Sequence, residues 1–128
     1  MNMKTTSMVK TILEQARDKI VKPENWTKGA YARTPSGTDI SNCVLVAGEG
    51  CRFCAKGAII SVAVPYRSQY NVDLEFYASK LIREQIPVQE MANSIVDYND
   101  LESTKHSDMV ELFESAIEDI SLALESQT

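Results

Sequence analysis

Four segments of this chain repeat apolar residues at the three- and four-residue spacing of an amphipathic helix, and this repetition constrains the fold more than any other feature. The segments are centred on residues 8–20, 74–82, 88–96 and 107–123. Pro23 ends the first segment, and Pro87 disfavours helical geometry at Ile86, so both prolines limit helix length. We therefore expect a mainly α protein with four to five helices around a single core, in one domain spanning residues 1–128.

Capping residues predict where the later helices begin. Asn71 is placed to cap the second helix, whose first turn would contain Asp73. Pro87 suits the first position of the third helix, and Ser107 suits the N-cap of the fourth. The stripe expected to face inward from the third helix is Val88, Met91, Ala92, Ile95 and Val96. The stripe expected from the fourth is Met109, Leu112, Phe113, Ala116, Ile117, Ile120 and Ala123.

The middle of the chain is harder to interpret. The run Thr34-Pro35-Ser36-Gly37 is a strong turn signal, which predicts a short hairpin or irregular excursion near residues 27–48. Residues 54–64 are almost wholly apolar, which is typical of a buried helix, although their β-branched residues also suit a buried strand. We favour the helix because a lone central strand would lack pairing partners in a chain that is otherwise helical.

Charge is divided unevenly along the chain. Residues 1–72 contain ten Lys/Arg and five Asp/Glu, a net of +5, whereas residues 73–128 contain three and thirteen, a net of −10. The two halves would attract each other within one fold. Alternatively, the acidic C-terminal helices, through Glu111, Glu114 and Glu118, would dock on a basic protein partner. The basic residues are scattered and no binding motif is present, so we expect no direct nucleic-acid binding.

The same composition bears on location and partners. No apolar run is long enough to cross a bilayer, and the N-terminus lacks the apolar core of a secretory signal. An odd number of cysteines argues against a disulfide framework. We therefore expect a cytoplasmic protein that does not bind membranes. Phe76 and Leu122 fall outside their helix stripes, which suggests a homodimer contact.

Cysteine spacing gives a weak case for a metal and a somewhat better one for catalysis. Cys51 and Cys54 form a C-x-x-C pair, but a zinc site would also need Cys43 and the sole histidine, His106, so we expect no metal and no cofactor. Cys54 is also a candidate nucleophile, with His106 as its base and Asn99 or Asp100 orienting the imidazole. The opposing interpretation is that Cys54 is a small buried hydrophobic residue.

The segment of residues 26–33, Trp-Thr-Lys-Gly-Ala-Tyr-Ala-Arg, contains the only tryptophan and fits neither a helix nor a strand. Two later segments echo its composition: residues 54–58, Cys-Ala-Lys-Gly-Ala, and residues 98–100, Tyr-Asn-Asp. Irregular segments of this kind are usually held for packing or for binding. The side chains that we expect either to line one cleft or to hold the long loop in place are Trp26, Tyr31, Arg33, Cys54, Asn99 and Asp100.

These three segments, in this order, resemble a small uncharacterised domain family found in bacteria and many bacteriophages. Its pattern reads W-x-x-G-A-x-A-R-D, then aromatic-C-x-x-G-A, then W-N-D before an amphipathic helix. Thr34 stands where the family has aspartate, and Tyr98 replaces a tryptophan. The resemblance carries no established activity, but it implies that the three segments converge in space. The positions that match are Trp26, Gly29, Ala30, Ala32, Arg33, Cys54, Gly57, Ala58, Asn99 and Asp100.

Together these features favour a small non-enzymatic binding or accessory protein. A protein partner or a small polar ligand would occupy the predicted cleft, or a partner would bind the acidic C-terminal helices. The resemblance implies a phage or bacterial accessory protein, and a phage-encoded chain of this kind would modulate a host protein. The alternative is a cysteine-dependent hydrolase or transferase with Cys54 as nucleophile and His106 as base.

Overall fold

The computed structural model describes residues 1–66, 73–90 and 92–127. The α-helices in these ranges are α1 (Met3–Ile20), α2 (Ala55–Ala63), α3 (Leu74–Glu84), α4 (Ile95–Asp100) and α5 (His106–Gln127). Short 3-10 segments lie at Pro23–Asn25, Ser41–Val46, Val64–Tyr66 and Val88–Glu90. The strands β1 (Ala32–Arg33) and β2 (Arg52–Phe53) pair antiparallel. The prediction of a mainly α fold is confirmed.

The hydrophobic core forms where α1 packs against α5 and α2, with α3 closing one side. The periodicity of α1 and α5 places an apolar stripe of each helix in this core, as expected from their spacing. Within the described ranges no helix has the length and apolar character needed to cross a lipid bilayer. The buried apolar residues of α1 and α5 are Val9, Ile12, Leu13, Ala16 and Ile20, and Met109, Leu112, Phe113, Ala116 and Ile120.

The apolar segment of residues 54–64 is a helix, as predicted, and not a strand. Its Ala55–Ala63 portion lies between α1 and α3. A helix satisfies its backbone hydrogen bonds internally, so it passes through the core without the neighbouring strands that a central strand would need. Ile59 and Ala58 have no exposed surface.

The third predicted helix is wrong in its start and its length. Pro87 is followed only by the 3-10 segment Val88–Glu90, and Val88 is 91 % exposed instead of facing inward. The helix begins at Ile95 because the Ser94 hydroxyl accepts a hydrogen bond of 3.0 Å from the N–H of Asp97, which is the geometry of an N-cap. Met91, from the same predicted stripe, lies outside the described residues.

The predicted caps of the other two helices also change. Asp73 caps α3 by accepting a hydrogen bond of 3.0 Å from the N–H of Phe76, and the predicted cap Asn71 lies outside the described residues. Helix α5 begins at His106, so Ser107 lies inside it and is not the cap. Its start is held instead by Asp108, whose carboxylate accepts a hydrogen bond of 2.8 Å from the N–H of Lys105. This is the bond that the residue at helix position N3 makes in a capping box.

The inward stripe of α5 ends earlier than predicted. Ile120 is buried, but Ala123 is exposed. The exposure of Ala123 places this part of α5 at the surface.

The excursion between α1 and α2 contains the predicted turn. The N–H of Gly37 donates 2.8 Å to the carbonyl of Thr34, and the N–H of Thr34 donates 2.9 Å to the carbonyl of Thr38. Gly37 has a φ of 96°, which glycine adopts at no steric cost. The excursion runs further than predicted, since β1 pairs with β2 immediately before α2.

Candidate functional site

Asn99, in the last turn of α4, connects the three echoing segments through one side chain with no exposed surface. Its Oδ1 accepts hydrogen bonds from the indole N–H of Trp26 at 2.8 Å and from the N–H of Ala55 at 3.1 Å. Its Nδ2 donates to the carbonyl of Thr27 and to Asp100 Oδ1, both at 3.0 Å. All four hydrogen bonds of a carboxamide are therefore made, as burial of so polar a group requires.

The N-terminus of α2 is held by groups from outside the helix. The N–H of Ala55 is bound by Asn99, and the N–H of Cys54 donates 3.3 Å to the carbonyl of Tyr31. Cys54 itself is the N-cap, and its Sγ accepts from the N–H of Gly57 at 3.3 Å. Donors that a helix start leaves without internal partners are thus joined to the loop and to α4.

Gly57 allows the loop to approach α2 closely. A Cβ at this position would lie 2.7 Å from the carbonyl carbon of Tyr31 and still nearer to its oxygen. No side chain fits in that space, so the glycine of the second segment has a steric cause. The three segments converge in space, as the resemblance implied.

The indole of Trp26 is half-buried between the side chains of His106 and Lys28. Its ring lies 5.7 Å from the His106 ring, and Lys28 Nζ lies 5.6 Å from its centroid. Lys28 Nζ also donates to the carbonyl of Leu101, just beyond α4. Trp26 therefore packs the loop against α4 and α5.

The described hydrogen bonds of the Arg33 side chain all lie within the loop between α1 and α2. Its guanidinium donates to Thr27 Oγ1 at 3.1 Å, to the carbonyl of Gly37 at 3.1 Å and to the carbonyl of Lys28 at 3.2 Å. These bonds tie the turn at Gly37 to the start of the loop. Of the two predicted roles, the described contacts of Arg33 are those of a residue that holds the loop.

A pocket of about 180 Å³ opens where the loop meets α4. Tyr31, Cys54 and Asp100, which were predicted, line it together with Ser41 and Val96, which were not. Ser41 is oriented by two contacts, since its Oγ accepts from the N–H of Tyr31 at 2.9 Å and donates to Asp39 at 2.6 Å. Donation from the Ser41 hydroxyl, together with donation from its backbone N–H at 2.8 Å, lowers the pKa of the exposed Asp39. Nothing in the sequence around Ser41 signals its place in this pocket.

Asp100 provides the charged group of the pocket. Its Oδ1 accepts from the N–H of Gly29 at 3.0 Å and from Asn99 Nδ2 at 3.0 Å. Gly29 has a φ of 79°, a backbone geometry that turns its N–H toward the carboxylate at little cost only for glycine. In the described part of the chain, Asp100 Oδ2 accepts no hydrogen bond.

The pair expected for a cysteine enzyme does not show the features of an activated nucleophile. Cys54 is only 2 % exposed, and burial raises the pKa of its thiol, with the nearby Asp100 carboxylate raising it further. An activated cysteine needs a lowered pKa and an adjacent base. His106 has its Nε2 at 2.6 Å from the carbonyl of Ile20 and its ring against Trp26.

Two further features lie outside this pocket. A second depression of about 250 Å³ is lined by the acidic residues Glu90, Asp108 and Glu111 around the buried Tyr98, and burial together with these carboxylates raises the Tyr98 pKa. Phe76 and Leu122 are 49 % and 57 % exposed. Among the described residues, no three His, Cys, Asp or Glu side chains are grouped so that they could hold a metal ion.

Comparison with known proteins gives a family but no activity. Neither the curated proteins nor the solved structures yield a match to this chain. The sequence profile of DUF6197, described as a family of unknown function, matches residues 4–119. Because that match includes all three echoing segments and most of α5, the protein belongs to the DUF6197 family.

Proposed function

We propose that this protein is a non-enzymatic binding protein whose pocket at Asp100 takes a small polar ligand with N–H or O–H donors, preferably a cation. The observation that supports this most directly is the arrangement of the Asp100 carboxylate. Oδ1 is fixed by the N–H of Gly29 and by Asn99, while Oδ2 has no hydrogen bond within the described residues. A carboxylate held in one orientation offers a ligand an acceptor without the entropic cost of ordering it.

The walls of the pocket suit a small cationic group. Tyr31 is 38 % exposed and lines the same pocket as Asp100. An aromatic face next to a carboxylate favours ammonium and guanidinium groups. A volume of about 180 Å³ is below that of ordinary drug-sized sites, so the ligand is a compact molecule or a single side chain of a protein partner.

The electrostatics of Cys54 favour binding over catalysis in this pocket. Its thiol is buried, its pKa is raised, and its sulfur accepts a backbone hydrogen bond from Gly57 at the helix start. A thiol in this state is a poor nucleophile at neutral pH. We therefore rank the cysteine-dependent hydrolase or transferase below the binding function.

Titration followed by amide NMR tests the proposal. Benzylamine and methylguanidine, added to the wild-type protein, should shift the amides of Gly29, Ser41 and Val96, whereas neutral benzyl alcohol should shift them less. Asp100→Asn keeps an acceptor for the Gly29 N–H but removes the charge, and it should abolish the response. Asp97→Asn, an exposed carboxylate on the same helix, should leave it intact. Equal shifts in both variants, or none in the wild-type protein, would refute the cation site.

A second candidate is a basic protein partner bound by the acidic surface of α5. It is supported by the depression lined by Glu90, Asp108 and Glu111, in which several carboxylates converge on Tyr98. Glu118 is exposed on the same helix, whereas Glu114 is already within 3.3 Å of Arg17. Converging carboxylates steer a basic partner and increase its association rate.

Charge reversal tests this candidate. The triple variant Glu111→Lys, Glu114→Lys and Glu118→Lys should no longer retain a specific partner in pull-downs from a bacterial lysate. A matched variant with reversals at the exposed residues Glu24, Glu49 and Glu84 has the same net charge and should retain it. Loss of the partner in both variants would indicate a nonspecific charge effect and contradict an α5 interface.

The setting of this function is likewise a proposal. Cys43, Cys51 and Cys54 are free thiols, which suits a reducing cytoplasm. The resemblance described above favours a bacterial or phage accessory protein, and a phage protein of this kind would act on a host protein.

A further inference from the structure

A third pocket, of about 290 Å³, lies between α2, α3 and α4, on the other side of Val96, which lines both this pocket and the one at Asp100. None of its lining residues belongs to the predicted site. The charged and polar side chains around it, with one aromatic ring, are Lys56, Phe76, Ser79, Lys80, Arg83 and Ser94.

The charge of this pocket is opposite to that of its surroundings. Residues 73–128 contain only three Lys/Arg against thirteen Asp/Glu, yet two of those three, Lys80 and Arg83, line this one pocket. Both are exposed, and neither has an ion-pair partner within the described ranges. Two unpaired cations close together repel each other unless an anion lies between them.

The remaining polar groups suit an anion as well. Lys56 is paired with Glu75 at 3.2 Å and donates to Ser79 Oγ at 2.8 Å, so its charge is compensated. Ser94 Oγ accepts from the N–H of Asp97, and the hydroxyls of Ser79 and Ser94 donate no hydrogen bond within the described chain. The pocket therefore presents a local charge near +2 together with two hydroxyl donors.

An aromatic ring completes the site. Phe76, Ser79, Lys80 and Arg83 have the spacing of one face of a helix, which places the ring and both cations on the same side of α3. The Phe76 ring is 49 % exposed and stacks on Tyr77, with centroids 5.5 Å apart and planes 7° apart. The exposed part of the ring lies at the edge of the pocket, where a flat group can pack on it.

We propose that this pocket binds a small phosphate monoester attached to a flat ring. A phosphate monoester carries a charge of about −1.5 to −2 at neutral pH, which matches the two unpaired cations better than a carboxylate does. The guanidinium of Arg83 and the ammonium of Lys80 would bind the phosphate oxygens, the serine hydroxyls would donate to them, and Phe76 would contact the ring. This site is independent of the cation site proposed at Asp100.

Calorimetry with four probes tests the proposal: adenosine monophosphate, phenyl phosphate, inorganic phosphate and adenosine. We expect saturable binding of at least one ring-bearing phosphate, weaker binding of inorganic phosphate and the weakest binding of adenosine. The two ring-bearing probes distinguish a nucleotide from an aryl phosphate such as a phosphorylated tyrosine. Absence of saturable binding by both of them would overturn the proposal, and so would equal binding of adenosine.

Matched variants then locate the site. The double variant Lys80→Gln and Arg83→Gln should weaken binding by about tenfold or more, because charge-assisted hydrogen bonds are lost. A double variant at the exposed residues Lys22 and Lys105, with the same charge change, should bind within about twofold of the wild type. Equal losses in both double variants would overturn the assigned site in favour of a general charge effect.

Two further variants test the contribution of the aromatic ring and the independence of the site from the pocket at Asp100. Phe76→Ala should bring the affinity for the ring-bearing phosphate down to that for inorganic phosphate, and an unchanged affinity would refute the aromatic contact. Asp100→Asn should leave phosphate binding unchanged, so the proposals for the phosphate site and for the cation site are tested separately. Circular dichroism of each variant shows whether it remains folded, and all the substituted side chains of α3 are exposed.

Discussion

The indole N–H of Trp26 donates a hydrogen bond of 2.8 Å to Oδ1 of Asn99, a residue 73 positions further along the chain. The same oxygen also receives the N–H of Ala55 at the start of α2. One amide oxygen thus joins the loop, α2 and α4. Trp26 and Asn99, which the sequence singled out either to line one cleft or to hold the long loop in place, bond to each other and join the loop to α4.

Asn99→Ala should lower the free energy of unfolding by about 2–4 kcal/mol. The substitution leaves the indole N–H of Trp26, the N–H of Ala55 and the carbonyl of Thr27 without their partner in a buried region, and each such loss costs about 1–3 kcal/mol when water does not replace it. Urea unfolding measures the change. Asn93→Ala, at an exposed position, should stay within about 0.5 kcal/mol of the wild type. A similarly small change for Asn99→Ala would refute its role in holding the segments together.

Gly57→Ala should destabilise the protein by more than about 2 kcal/mol, although alanine ordinarily stabilises a helix relative to glycine. The new methyl group would lie 2.7 Å from the carbonyl carbon of Tyr31, so the loop must move away from α2. Thermal unfolding with the circular dichroism of the helices measures the effect. Gly48→Ala is the control, because nothing lies within 4 Å of a Cβ built there. A Gly57→Ala protein as stable as the wild type would contradict the close approach of loop and helix.

Stability should fall as the pH rises from about 8.5 because of Cys54. Burial raises the pKa of this thiol in the folded protein, whereas in the unfolded chain a thiol ionises near pH 8.5. The stabilising contribution of the neutral Cys54 thiol is therefore fully present below the pKa of the unfolded chain, and it is lost as the pH rises toward the pKa of the folded protein. Urea unfolding between about pH 7.5 and 9.5 measures it, below the range in which Tyr98, whose pKa is also raised, contributes.

Cysteine variants assign that pH dependence. Cys54→Ala should flatten the decline, and Cys43→Ala, which removes an exposed thiol, should preserve it. Iodoacetamide at neutral pH should label Cys43 in the folded protein and Cys54 only after unfolding, as mass spectrometry of the peptides would show. Rapid labelling of native Cys54, slowed by His106→Ala, would instead support the cysteine-dependent enzyme.

Arg33→Lys should destabilise the protein by about 1–3 kcal/mol and make the loop more susceptible to proteolysis. The guanidinium serves Thr27 Oγ1 and the carbonyls of Lys28 and Gly37 at once, and a single ammonium cannot reach three oxygens in that arrangement. Limited proteolysis and urea unfolding measure the two effects. Arg52→Lys, at an exposed position of β2, should change neither. An Arg33→Lys protein that resists protease like the wild type would refute the role of Arg33 in holding the loop.

Local patterns predicted the helical class well and helix starts poorly. The periodicity of α1 and α5 identified their buried faces, and the apolar run after Cys54 proved to be a helix. The third helix was predicted to begin at Pro87 because the apolar residues from Val88 to Val96 keep helical spacing, but α4 begins only at Ile95. The hydroxyl of Ser94 caps α4, so this helix begins at Ile95 and not at the 3-10 segment Val88–Glu90.

The amino-acid sequence by itself determined that the chain is mainly helical, because apolar spacing and capping act between residues a few positions apart. It also singled out three segments that converge. Only the tertiary structure decided what each polar side chain does there. Asn99 and Trp26 turn toward each other, Arg33 turns toward carbonyls, and Ser41 and Val96 join the pocket through contacts between distant parts of the chain. A residue's type states which hydrogen bonds it can make, but the partner is chosen by packing, which no local pattern records.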